Sequence, residues 1–168
     1  MRFKTLVFGV ATLWPHICHA LLEEQFISFA PGNGSLDIAG ATILADANDF
    51  VGVHIALNSL VKDLEQITGI KPAVQNITSN STVPRNSTLP TSGSTIIVGS
   101  ANSSLIRQLS ERHVIDVADI EGKWEMFKTA LVENPLAGVR KALVIVGSDK
   151  RGTIFGVHTL AEQSGQSP

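Results

Sequence analysis

Cysteine occurs once in these 168 residues, at Cys18, while aromatic side chains supply only 5% of the chain and charged ones only 17%. Each scarcity closes a class of function. One cysteine near the amino terminus forms no internal disulfide and leaves no thiol for catalysis or metal ligation in the body of the chain. With 13 basic residues against 15 acidic, a net charge of −2, there is no basic stripe to neutralise phosphates and no aromatic-rich platform for stacking bases, so no nucleic-acid partner is expected. The five histidines have no ligand spacing: His16 and His19 sit at the amino terminus, and His54, His113 and His158 are isolated. No metal site is expected from them. What is abundant is apolar surface, 43% of the residues, enough for one core but hardly two.

Residues 1–20 read as a secretory signal. Arg2 and Lys4 form a charged start, Thr5 to Trp14 a short apolar stretch, and Cys18-His19-Ala20 an exit with small residues where a signal peptidase inspects the chain. Cleavage is expected after Ala20. The stretch is about half of the ~20 residues a bilayer-spanning helix needs, and Pro15 and His16 close it, so no membrane association is expected after removal. Cys18 leaves with the signal. Losing Arg2 and Lys4 takes 13 basic residues to 11 against 15 acidic, a net charge of −4 for residues 21–168, a secreted, extracellular segment. Five Asn-X-Ser/Thr acceptors, at Asn33, Asn76, Asn80, Asn86 and Asn102, fit the same route. Three fall within residues 76–94, a run of Asn, Ser, Thr and Pro without hydrophobic period, expected to be a glycan-bearing loop.

The mature chain reads as a single α/β (α+β) domain with a mixed β-sheet covered by helices. Glu24 to Ala30 and Ser35 to Ala45, separated by Pro31-Gly32-Asn33-Gly34, suggest an opening strand pair. Phe50, Val53, Leu57, Leu60, Val61, Leu64 and Ile67 mark one face of a helix that Asp46 or Asn48 can cap and Gly69 can end. Ser94 to Ser100 is a buried-type strand and Asn102 to Ser110 a helix. Lys123 to Glu133 and Lys141 to Val146 form a hairpin about Asn134 to Gly138, and a last helix runs from about Thr153 to Gln163. The triplet Val-Gly-Ser closes a strand twice, at Val98 to Ser100 and at Val146 to Ser148, which places both turns on the same edge of one sheet.

Glycine-rich turns between strand and helix invite a phosphate reading. Gly147 and Gly152 have phosphate-loop spacing, but Thr153 stands where the lysine belongs, and neither turn supplies the three-glycine dinucleotide pattern, so no cofactor is expected. A glycosidase needs two carboxylates facing each other across the scissile bond. Asp37, Asp46, Asp49, Asp63, Glu65 and Glu125 are better explained as caps, turn residues or solvated charges.

The most distinctive stretch runs from Lys141 through Gly156 to Glu162. In it Gly147 lets the strand turn, Ser148 or Asp149 caps the helix, and Gly152 and Gly156 permit close backbone approach to the sheet. Lys150 and Arg151 project near the strand edge, either as charges that are solvated or pair with carboxylates of a neighbouring domain, or as cations that hold the carboxylate of a substrate. Together with Trp124-Glu125-Met126-Phe127 and Asn134 to Val139, the block resembles the amino-terminal domain of glycoside hydrolase family 115, the xylan α-1,2-glucuronidases. Phe155 stands where the family pattern has tyrosine. The resemblance runs from about Phe29 to the last residue. It implies a hydrolase that removes (4-O-methyl)glucuronic acid from glucuronoxylan, with the catalytic acids on a (β/α)₈ barrel beyond this segment. A barrel needs about 250 residues. The expectation is therefore an inactive amino-terminal fragment with no catalytic residue of its own, partnered by the missing carboxy-terminal barrel and meeting glucuronoxylan through it. The alternative is a free-standing secreted α/β glycan-binding module.

Overall fold

The computed structural model describes residues 26–28, 35–78 and 93–165. In chain order the elements are β1 (Thr42–Asp46), α1 (Val51–Thr68), β2 (Ala73–Ile77), β3 (Thr95–Ser100), α2 (Ser104–Glu111), β4 (Phe127–Leu136), β5 (Val139–Gly147) and α3 (Lys150–Gln163). The strands form one mixed sheet in the order β2-β1-β3-β5-β4. All neighbours run parallel except β4, which lies antiparallel on β5.

Both faces of the sheet are covered, which is why β1, β3 and β5 read as unbroken apolar runs rather than alternating ones. On one face α1 and α3 pack Val53, Leu57, Leu60, Leu64, Val157 and Leu160 against Ile43, Ile96 and Ile145. On the other, Leu105, Ile106 and Leu109 of α2, with Ile115 and Ile120, cover Leu44, Ile97, Val144 and Val146. Each such side chain contributes about 1.5–3 kcal/mol when removed from water, as an upper bound for a chain whose unfolded state is partly collapsed. The apolar periodicity of α1 is thus its source of stability, and Gly69 ends it in the left-handed conformation at φ 71°, its N–H donating to the Glu65 carbonyl at 2.9 Å.

The β3 and β5 ends lie side by side as the repeated Val-Gly-Ser triplet requires, with Ser100 in register with Gly147. Four details differ from the sequence reading. Among the described residues the opening strand pair is not formed: 26–28 and 35–38 carry no strand, and regular pairing starts at Thr42, while 24–25 and 29–34 lie outside the described residues. Asp37 explains part of this, because its carboxylate accepts the Ala39 N–H at 2.9 Å and Gly40 turns at φ 64°, a local alternative to a ladder. Strand β2 was not anticipated, since its mixed exposure offers no alternation, and Asn76 and Ile77 lie in it rather than in the expected polar loop, of which 79–92 lie outside the described residues. The hairpin turn tightens to Ala137-Gly138, with a register shift between Glu133 and Leu136 where Asn134 adopts φ 52°. Helix α3 starts at Lys150, three residues before the expected Thr153, because Asp149 caps it.

Candidate functional site: the carboxyl edge of the parallel strands

Open α/β sheets hold ligands beyond the carboxyl ends of their strands, where the strand order reverses. Here that point lies between β1 and β3: the chain leaves β1 through α1 to β2 on one side and leaves β3 through α2 to the β4–β5 hairpin on the other, the two helices on opposite faces. The crevice is filled by the protein's own carboxylates. Oδ2 of Asp46 accepts the Ser104 N–H at 2.7 Å, the Leu105 N–H at 3.3 Å and the Ser104 hydroxyl, while Oδ1 accepts the Asn48 N–H at 2.9 Å. The start of α2, where an anion would otherwise sit, is therefore occupied by Asp46. Asp49 does the same for the end of β3, with Oδ2 accepting the Ser100 N–H at 2.8 Å and Oδ1 the Ser100 hydroxyl at 2.9 Å. Burial pushes the Asp46 carboxyl up, but the Ser104 hydroxyl and the amides of Asn48, Ser104 and Leu105 together outweigh it and hold it below the ordinary carboxylate value.

This corrects the capping expectation for α1. Phe50 is its N-cap residue and no side chain caps it; Asp46 instead reaches the start of α2, where Ser103 is the N-cap and Asp46 accepts the Ser104 and Leu105 amides. Sequence spacing could not show that, because the partners are 58 residues apart. The signal that existed was paired: Asp46 and Asp49 follow one apolar strand, and Ser100, Ser103 and Ser104 follow the next.

The β5–α3 turn lies on the same edge. A Cβ on Gly147 would stand 2.5 Å from the Thr153 Cα, and one on Gly156 would stand 2.6 Å from Ile145 Cγ2. Gly152 sits directly against the Met126 carbonyl. Ser148 donates to that same carbonyl from its N–H at 2.8 Å and from its hydroxyl at 3.1 Å, and its Oγ accepts the Met126 N–H at 3.1 Å. Asp149 is the α3 cap: Oδ1 accepts the Gly152 N–H at 2.7 Å and Oδ2 the Glu125 N–H at 3.2 Å. The Gly152 amide, more than any other group, holds the Asp149 carboxyl below its ordinary range. The turn and residues 125–126 are thus one rigid unit.

That unit displays its neighbours. Arg151 is exposed and its guanidinium meets the Glu125 carboxylate at 2.8 Å; Lys150 is exposed beside the start of α1, its Cδ 3.7 Å from where a Cβ on Gly52 would lie. Trp124 is 84% exposed, and Met126 and Phe155 are each 43% exposed, an exposed apolar patch of the kind a docking barrel would need, at residues the sequence did not single out for it. Of the glycosylation acceptors, Asn76 on β2 and Asn102 after β3 are exposed, whereas Asn33, Asn80 and Asn86, like the signal, lie outside the described residues. A separate apolar groove of about 610 Å³ lies at the other end of the helices, lined by Phe26, Leu36, Ile38, Leu64, Ile67 and Leu131. Among the described residues no cluster of three His, Cys, Asp or Glu side chains is placed to hold a metal ion, and no helix is long and apolar enough to cross a membrane.

No family model and no curated protein matches the chain. Among solved structures, it is similar to BtGH115A, a family GH115 4-O-methyl-α-glucuronidase with specificity for decorated arabinogalactans. The TM-score is 0.57 and the identity 22%, covering 80% of this chain and 14% of that one. A weaker likeness, to CpGH84D, has a TM-score of 0.47 and 10% identity over 79% of this chain and 20% of that one. The chain thus spans about one-seventh of the glucuronidase's length. What the first likeness establishes is architecture: the described residues have a GH115-like α/β fold, with one mixed five-stranded sheet and three helices.

Proposed function

We propose that this chain is the non-catalytic amino-terminal portion of a secreted glycoside hydrolase of the α-glucuronidase type, which removes (4-O-methyl)glucuronic acid side chains from glucuronoxylan. The observation that carries the reading is the β5–α3 turn. The residues that resemble family 115 in sequence, Trp124 to Phe127 and Gly147 to Gly156, include one hydrogen-bonded unit at the carboxyl edge of the parallel strands in a GH115-like fold. The carboxylates at this edge, Asp46, Asp49, Asp149 and Glu125, are each engaged in capping or pairing, which suits a scaffold. Trp124, Met126 and Phe155 give the apolar display on which a following barrel docks. Lys150 and Arg151 sit beside that display, where a guanidinium fork suits a uronate carboxylate arriving with the barrel.

The coding sequence directly downstream tests this reading. Tryptophan-rich segments of a (β/α)₈ barrel in the same frame are the expected result. A chain that ends without them, expresses alone and binds glucuronoxylan is instead the free-standing glycan-binding module.

A further inference from the structure

The two edges of the sheet are protected very differently. Exposed edge strands invite pairing with another chain, and proteins blunt them with charges, proline, bulges or a cover. Strand β4 has these devices: Lys128, Glu133 and Pro135 lie within it, and the register shifts between Glu133 and Leu136. Strand β2, Ala-Val-Gln-Asn-Ile, has no charge, no proline and no bulge; it pairs in unbroken register with β1 from Ala73 to Ile77 and with no other described strand. Its Val74 is 38% exposed. Lys71 and Pro72 stand just before the strand, but within its five residues, and among the described residues, no such device and no pairing strand lies on this edge.

What β2 has instead is an acceptor triplet. Asn76 is exposed, two residues before Thr78, and sits opposite Ala45 of β1. We propose that Asn76 carries an N-linked glycan whose role is to cover the outer rim of β2 and prevent edge-to-edge association of the sheet. A glycan is bulky and strongly hydrated, so one carried on the face of this edge strand, beside Ala45, hinders the approach of an incoming strand. The position is also compatible with docking at Trp124: β2 and β4 lie at opposite margins of the sheet, four strand spacings of about 4.8 Å apart, roughly 19 Å. The inference rests on the secretion reading, because only that route delivers the modification.

The test is expression of the full chain with its own amino terminus in a eukaryotic secretory host, with site-resolved mass spectrometry and light scattering on the product. Asn76 is expected to be occupied and the product monomeric. N76Q and T78A, which remove the acceptor in two different ways, are expected to convert it to concentration-dependent oligomers, with N102Q as a control that leaves the monomer intact. Glycans at other acceptors but none at Asn76, or N76Q and T78A proteins as monomeric as the parent, would overturn the proposal. A chain that stays in the cell without glycan at any acceptor overturns the secretion reading and this inference with it.

Discussion

Gly152 rests against the carbonyl of Met126: a methyl group built on its α-carbon would stand 2.9 Å from the carbonyl carbon and closer still to the oxygen. Backbone on backbone leaves no flexible side chain to yield. G152A is therefore expected to lose about 3 kcal/mol, which at about 2–4 °C per kcal/mol lowers Tm by roughly 6–12 °C. G69A is the contrast, because nothing lies near its Cβ position and only the left-handed backbone at φ 71° resists it. Its cost is expected to be about 1 kcal/mol. Thermal melts of the two proteins side by side check the difference.

The Asp46 carboxylate joins β1 to the start of α2. D46A leaves the Ser104 and Leu105 amides without that acceptor, and a loss of about 2–3 kcal/mol is expected in urea titration, with D46N losing less. The sign of its pH dependence follows from its lowered folded value. Asp46 contributes stability that is present above the unfolded carboxyl pKa and is lost as pH falls through the folded one. D46N is expected to show a shallower fall in stability through that acid range than the parent.

This network marks where legibility stopped. Periodicity within a window was enough for α1, whose buried positions recur along one face, and for β3 and β5, whose repeated triplet placed them side by side. It could not show that Asp46 reaches Ser104 or that Asp49 reaches Ser100, contacts set by the pairing of β1 with β3. Strand β2 escaped for the same reason, since its partner rather than its pattern makes it a strand. The β5–α3 turn was more legible, because glycine at 147, 152 and 156 is a requirement of close approach that leaves a trace in composition. The exposure of Trp124 left none.

Arg151 and Glu125 form a pair that is exposed on the arginine side and half-buried on the glutamate side, worth about 0.2–1 kcal/mol. R151A in the isolated chain is expected to change stability by no more than that. In a full-length relative, the corresponding substitution is expected to raise KM for a uronosyl substrate more than for a neutral glycoside, and equal effects on both would remove Arg151 from substrate recognition.

Trp124 is exposed in the described chain, so W124A is expected to leave its stability within about 0.5 kcal/mol of the parent's. In a chain that continues into a barrel, the same substitution is expected to lower stability by several-fold more, as a buried aromatic lost from an interface. Differential scanning calorimetry of both forms separates the two.

The most direct measurement is the release of 4-O-methylglucuronic acid from glucuronoxylan by the purified chain alone. A scaffold whose edge carboxylates are committed to caps and pairs is expected to release none, however long the incubation. Catalytic release by homogeneous protein would contradict the account at its centre.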